Sequence, residues 1–298
     1  MTRTTFHQIT VAPGVWPSAH LLDRLRPLAG QQPLVLGDWP APGSAMLRSI
    51  GRTDALLAGW KDRLDAGRLA QMPRLRYIGL RATSTDRVDL RYTAEHGITV
   101  APIHGYGDVG TVEFVVEQLL RHARHGGATR GELAGKRLGI VGYGNVGAAV
   151  GRVAMALGMQ VVFHTPTARP GPPDGPQWEC LPDLLATADY VSFHSPAYRH
   201  VVGLDELRLI ASDALVVMTT LGLPTADGDF QTWQMSRTGP VVLDLCAADA
   251  LPDAIAGLPG VHIHDLYAAR TAESVRRAET QLLANLVANL AAPDPQTQ

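Results

Sequence analysis

The chain has 298 residues, enough for one large or two ordinary domains, because a single hydrophobic core rarely outgrows about 250–300 residues. Its 26 basic and 28 acidic side chains nearly cancel and form no basic stripe suited to a phosphate backbone, so nucleic acid is not an expected partner. No apolar core follows Met1-Thr2-Arg3-Thr4-Thr5, no stretch approaches the ~20 apolar residues that cross a bilayer, and two cysteines are too few for a disulfide framework; the sequence predicts a cytoplasmic protein without membrane contact, Cys180 and Cys246 being core thiols.

Up to about residue 104, short apolar runs alternate with polar helical stretches: Leu34-Val35-Leu36, Ala55-Leu56-Leu57, Tyr77-Ile78-Gly79 and Ile98-Thr99-Val100. This rhythm predicts a small parallel α/β domain of flavodoxin-like type. A glycine-rich hinge, His104-Gly105-Tyr106-Gly107-Asp108, leads into a long helical pattern from near Thr111, with Val112, Val115, Val116, Leu119 and Leu120 on one face. Strands are then expected at 138–141, 161–163, 190–193, 215–218, 241–243 and 261–264, six in the rhythm of a doubly wound sheet. The Pro/Gly cluster at 169–173 reads as a surface loop. A long amphipathic helix from about Ala272 to Ala291 is expected to return to the first domain. The expected architecture is α/β with two lobes: a flavodoxin-like domain at 1–104 and 275–298, and a Rossmann-type doubly wound domain at 105–274.

The run Val141-Gly142-Tyr143-Gly144-Asn145-Val146-Gly147 lies between an apolar strand and a helix-like stretch at 148–157. In such a G-x-G-x-x-G turn the first glycine makes the tight turn, the second lets backbone approach a pyrophosphate, and the third lets the helix pack on the strand. The helix N-terminus then offers free N–H groups to the phosphates. Gly142, Gly144, Asn145, Val146 and Gly147 are therefore candidate cofactor contacts.

From about Leu75 to the last helix the chain resembles the D-isomer-specific 2-hydroxyacid dehydrogenase family. Leu75-Arg76-Tyr77-Ile78-Gly79 followed by Asp86-Arg87-Val88-Asp89-Leu90 is similar to that family's substrate loop, and Tyr106-Gly107 through Glu113 to its interdomain hinge and helix. The glycine run follows Gly135-Lys136-Arg137 as in the family; Phe193-His194-Ser195-Pro196, Thr219-Thr220-Leu221-Gly222 and Leu243-Asp244-Leu245 stand at strand ends where the family lines its cleft. No tyrosine stands four residues before a lysine, so the short-chain dehydrogenase pair is missing, as is zinc-ligand spacing. The resemblance implies hydride transfer between a nicotinamide and a 2-hydroxy or 2-oxo acid, with NAD or NADP as cofactor and a homodimer formed through the dinucleotide domain near the helix from Thr111.

The family's trio of arginine, histidine and acid is not kept. Leu221 stands where the resemblance would place the arginine and Leu266 where it would place the histidine, while the supporting acid falls at Asp249. Leucine supplies neither a proton nor a cation, so ordinary D-lactate or glycerate turnover should be slow, and an apolar wall favours a substrate with a hydrophobic part. Arg81 in the substrate loop reads either as an anion-binding group or as an ion-paired surface residue, and Tyr106 as a substrate contact or a packing residue. His262 and His264 alternate on a strand and lack a third ligand for a metal; His264, Asp265 or Tyr267 is a candidate relocated acid/base. His194 and Pro196 are expected to shape the cofactor pocket with Thr219, and Asp244 matches a family aspartate that contacts the nicotinamide amide, or else serves as a strand-end cap.

At the end of the second strand of the dinucleotide domain, His164-Thr165 replaces the acidic residue that binds adenosine ribose hydroxyls in NAD-specific folds. NADP is thus permitted, with Thr165 and Arg169 as candidate contacts. Three functions fit this pattern: an NAD(P)-dependent oxidoreductase with an altered site acting on an unusual small molecule, an enzyme that retains its dinucleotide through a non-redox elimination or cyclisation, and a catalytically silent dinucleotide-binding protein.

Overall fold

The computed structural model describes residues 5–125 and 131–291. The chain divides into two compact units, 1–106 with 275–298, and 107–274. In the first unit the order is β1 (Ile9–Val11), α1 (Ala19–Leu25), β2 (Leu34–Val35), α2 (Ala45–Ile50), β3 (Ala55–Gly59), α3 (Ala66–Leu69), β4 (Tyr77–Arg81), α4 (Leu90–Glu95) and β5 (Thr99–Pro102). The second unit runs α5 (Asp108–His125), β6 (Arg137–Val141), α6 (Asn145–Ala156), β7 (Gln160–His164), β8 (Gln177–Trp178), α7 (Leu181–Thr187), β9 (Tyr190–Phe193), α8 (Leu204–Leu207), β10 (Leu215–Met218), α9 (Asp227–Gln234), β11 (Val241–Leu243), α10 (Asp253–Ala256) and β12 (Val261–Ile263). Helix α11 (Ala272–Ala291) then carries the chain back to the first unit.

The first unit holds a five-stranded parallel sheet in the order β2-β1-β3-β4-β5, the flavodoxin-like arrangement. Strand β5 extends through Pro102, which is tolerated because β5 is an edge and the missing N–H costs no ladder bond. Alternate strand residues feed two cores. Ile9, Val11, Leu57 and Tyr77 meet Leu21 and Leu25 of α1 and Leu282, Leu286 and Leu290 of α11. Leu56, Ala58, Ile78 and Leu80 meet Ile50 of α2 and Leu69 of α3.

The second unit is a seven-stranded parallel sheet, β12-β11-β10-β9-β6-β7-β8. Counted from β6, this is the doubly wound Rossmann order with one further strand, and it places the switch point between β6 and β9. Both faces are covered, so β10 reads as a continuous apolar run: Leu215 and Val217 face α5 and α6, Val216 and Met218 face α7, α8 and α9.

Several details differ from the sequence reading. The dinucleotide-side sheet has seven strands, not six, because Gln177-Trp178 adds a two-residue edge too short for any period to show. Helix α5 begins at Asp108, whose carboxylate suits the first turn, and its buried stripe is Thr111, Phe114, Val115, Gln118 and Leu119, leaving Leu120 40% exposed. Helix α6 starts at Asn145 rather than 148 and ends before Gly158, whose positive φ of 81° terminates it. Cys180 is only half-buried, just before α7, while Cys246 is buried.

Candidate functional site

The glycine turn joins β6 to α6 at the switch point. Gly142 has φ +95°, and a methyl there would lie 2.6 Å from the His194 carbonyl carbon, so no side chain fits. Its N–H donates to the His164 carbonyl at 3.0 Å. At Gly147 a methyl would overlap the Gly142 carbonyl and lie 3.1 Å from Ile140 Cγ2, the close helix–strand approach that the third glycine permits. Gly144 behaves differently: a methyl there would meet nothing within 4 Å. No packing demands a glycine at this position, and the open space lies at the mouth of α6, whose N-terminus has no side-chain cap. An uncapped helix start with open space over it is a cradle for a pyrophosphate.

The end of β9 builds the adjoining wall. His194 donates its backbone N–H to Val141 at 2.7 Å, and its ring lies between two hydroxyls, Ser192 Oγ 2.9 Å from Nε2 and Thr219 Oγ1 3.3 Å from Nδ1. Both partners are neutral, and desolvation lowers the imidazole pKa to about 4. His194 is thus a neutral, fixed ring at neutral pH. Ser195 Oγ is buried without a hydrogen-bond partner among the described residues, and the Ser195 amide adjoins the Gly142 turn. Pro196 is exposed just beyond.

Beside the end of β7, the Tyr143 ring stacks on Phe163 with centroids 4.0 Å apart, and the Arg169 guanidinium lies over both rings while donating to the Tyr143 carbonyl. Thr165 donates its hydroxyl to the Thr167 carbonyl at 2.9 Å, and Trp178 Nε1 donates to the Thr165 carbonyl at 3.0 Å.

Asp244 directly follows β11 and is 1% exposed. Its Oδ1 accepts from Ala247 N–H at 3.0 Å and its Oδ2 from Ala268 N–H at 2.9 Å. Burial raises its carboxyl pKa, and the amides of Ala247, Ala268 and Cys246 pull it back. The carboxylate therefore ties the loop after β11 to the loop after β12, the strand-end role open in the sequence. The same loops are joined by Leu245 N–H to the Leu266 carbonyl at 2.9 Å, and the Gly222 N–H reaches the Cys246 carbonyl at 3.0 Å. Leu221, half-buried, and Leu266, 43% exposed, thus sit on bonded neighbouring loops at one end of the sheet.

Asp249 stands in this loop set with a partner that the sequence reading missed. Tyr198 donates its hydroxyl to Asp249 Oδ2 at 3.3 Å, and its N–H to the Leu221 carbonyl at 2.7 Å. It lies in the irregular loop between β9 and α8, where no periodicity singles it out; Ser195, also missed as a contact, was visible inside the Phe193-His194-Ser195-Pro196 run.

Of the other candidate catalytic groups, Arg81 and Tyr106 belong to the first unit, while His264 and Asp265 lead into the loop that bears Leu266. Arg81 is buried in the first unit and donates to the Val15 carbonyl. Tyr106 packs against the first unit's core, its carbonyl accepting from Arg277 Nε at 3.0 Å. The His264 ring packs edge-on to Phe114 of α5 at 5.2 Å; desolvation lowers its pKa, with Arg121 adding to the shift and Glu117 opposing it. Asp265 is exposed beyond β12.

The sheet order, the glycine turn and the open cradle define a Rossmann-type dinucleotide-binding protein. Residues 114–226 match the family model for the NAD-binding domain of D-isomer-specific 2-hydroxyacid dehydrogenases. The chain is 30% identical over 210 residues to the glyoxylate reductase of Aeropyrum pernix, covering 61% of this chain and 63% of that protein's length. Among solved structures, the D-lactate dehydrogenase of Aquifex aeolicus, complexed with NAD and lactic acid, superposes with a TM-score of 0.80 at 18% identity over 95% of both chains. An acyclic imino acid reductase complexed with NADPH and D-Arg gives 0.79 at 21% identity, over 95% of this chain and 97% of that one. Over residues 114–226 the chain carries the NAD-binding domain of the D-isomer-specific 2-hydroxyacid dehydrogenase family, and the cofactor class of that domain is a nicotinamide dinucleotide, NAD or NADP.

Proposed function

We propose that the protein is an NAD(P)-dependent oxidoreductase interconverting a 2-hydroxy and a 2-oxo acid whose body is partly apolar, through an altered catalytic site. The observation that carries this reading is the intact cradle, with Gly142 and Gly147 packed shut and Gly144 open, beside bonded loops that present Leu221 and Leu266. Gly144, Asn145, Val146 and Gly147 would hold the pyrophosphate, with His194, Ser195 and Thr219 lining the adjoining wall. The dinucleotide, when bound, supplies or accepts the hydride. The protein's part is to orient the acid, exclude water with the two leucines and move one proton. No carboxylate ends β7, and Arg169 lies at the rim, which supports acceptance of NADP(H) as well as NAD(H). A homodimer through α5 is supported by Val109 and Leu120, 53% and 40% exposed and eleven residues apart, hence on nearly one face.

The test is calorimetric titration with NAD⁺, NADH, NADP⁺ and NADPH, followed by absorbance assays of the form that binds against glyoxylate, pyruvate, 4-methyl-2-oxopentanoate and phenylpyruvate. Micromolar or tighter binding, with the larger acids turned over faster than glyoxylate, is expected. Binding without turnover of any 2-oxo acid would favour a non-redox enzyme that retains its dinucleotide, and no binding would favour a silent scaffold.

A further inference from the structure

Tyr198 has a backbone φ of +51°, one of three non-glycine residues with positive φ among those described. A bulky aromatic side chain seldom adopts this conformation, which costs on the order of 1–3 kcal/mol. Three contacts hold it there. Its N–H is bonded to the Leu221 carbonyl; its ring lies so near Gly222 that a methyl on that glycine would be 3.2 Å from Tyr198 Cδ1; its hydroxyl reaches Asp249 at 3.3 Å. Gly222 itself has φ +75°, and its N–H is tied to the Cys246 carbonyl in the loop that bears Asp249. The strained tyrosine therefore seats its phenol beside the acid and against the turn where Leu221 stands. Tyr198 as a residue is 39% exposed, so it stands at the surface of its unit and not in a core.

We infer that Tyr198 is the proton-transferring residue of this enzyme and Asp249 its positioning partner, the phenol–carboxylate pair standing in for an imidazole–carboxylate pair. This inference rests on the oxidoreductase reading above. In the reducing direction, as hydride arrives at the substrate's carbonyl carbon, the electron pair of the C=O π bond moves to oxygen and takes the proton from Tyr198 Oη. The tyrosinate is reprotonated from solvent while the Asp249 carboxylate, which accepts the phenol's hydrogen bond, holds the ring in place, so one hydride and one proton are consumed per 2-hydroxy acid formed. In oxidation the same proton runs outward, from substrate hydroxyl to the tyrosinate of Tyr198 and on to solvent. A phenol is a proton donor without fixed charge, so this site binds the substrate carbonyl without the cation that Leu221 fails to supply.

The experiment compares wild type with Tyr198→Phe, Asp249→Asn and Asp249→Glu. Three readouts are taken: kcat/KM over pH on the 2-oxo acid that wild type reduces best, dinucleotide affinity by calorimetry, and the ultraviolet difference spectrum of the dinucleotide complex when oxamate, an inert 2-oxo acid mimic, is added. Expected for Y198F is a loss of about 10²–10⁴ in kcat/KM with dinucleotide affinity unchanged, and disappearance of a tyrosine band from the oxamate difference spectrum. D249N should move the pH profile and D249E should restore it in part. If wild type reduces a 2-oxo acid and Y198F keeps its rate within threefold, or the oxamate band survives in Y198F, Tyr198 is not the donor although the oxidoreductase reading stands. If wild type reduces none of the acids, the oxidoreductase reading fails first and takes this assignment with it.

Discussion

The three glycines of the turn make different predictions because their surroundings differ. Gly144→Val places its side chain in open space, so folding stability should fall by less than about 1 kcal/mol, the cost of a poor helix N-cap. Dinucleotide binding should be lost, since the side chain occupies the approach to the helix start. Gly142→Ala must accept φ +95° and push aside the His194 carbonyl, so it should lose more than about 2 kcal/mol of stability as well as binding. Urea titration with calorimetry on the two variants separates these outcomes; equal destabilisation would mean that Gly144 is structural. His194 carries a second prediction. Its folded pKa, about 4, lies below the 6.5 of a free imidazole. As pH falls below about 6.5 the unfolded chain binds a proton that the folded chain refuses, so stability is lost between pH 6.5 and 4 and is fully present above. The loss is on the order of 1–3 kcal/mol, and His194→Gln, which keeps a polar side chain but cannot titrate, should flatten that part of the curve in denaturation at pH 7 and pH 5.

At the scale of single elements, α11 shows how a distant helix is locked to the start of the chain. Glu279, 3% exposed, accepts the Ser18 N–H on Oε1 at 2.9 Å and the Ser18 hydroxyl on Oε2 at 2.7 Å, while Ser18 Oγ accepts the Leu21 N–H that opens α1. Glu279→Ala strands two donors at once and should cost about 1–3 kcal/mol; Glu279→Gln keeps one acceptor and should cost roughly half, as measured by urea midpoints at constant slope. The limits of α11 were legible because its apolar period runs twenty residues. Strand β1 was not: three residues with Ala12 and Pro13 just beyond give no alternation to read, and it becomes a strand only because β2 and β3 pair on either side. The α5 stripe was misread because Gln118 is buried while Leu120 is not, a tertiary choice that polarity alone hides. In the site, the glycine turn was visible in sequence because backbone sterics demand glycine at 142 and 147, and ligand access leaves it at 144 between them. The Tyr198–Asp249 pair was invisible because its members are 51 residues apart and meet only through the ends of β9, β10 and β11.

Across the whole molecule, each unit has its own two-sided core, yet the first is assembled from both ends of the chain. Leu282, Leu283, Leu286 and Leu290 of α11 are buried in that core with Ala278, among strand and helix residues from the first hundred positions. Burying a leucine contributes about 1.5–3 kcal/mol, so four of them supply roughly 6–12 kcal/mol, comparable with the ~5–15 kcal/mol that holds a whole domain together. A chain ended after Ser274 should therefore lose the first unit altogether, since β1, β3 and β4 would expose the face that α11 covers. The second unit keeps both of its own cores in that truncated chain and should stay folded. Hydrogen exchange read by mass spectrometry should then show unprotected amides in β1, β3 and β4 beside protected ones in β6, β9 and β10, and dinucleotide binding should survive, because the glycine turn, His194 and Asp244 all lie within 107–274. Protection retained in β3 and β4 would show that the first unit stands on its residual core at Leu56, Ile78 and Leu80, and that α11 adds stability without deciding whether the sheet forms.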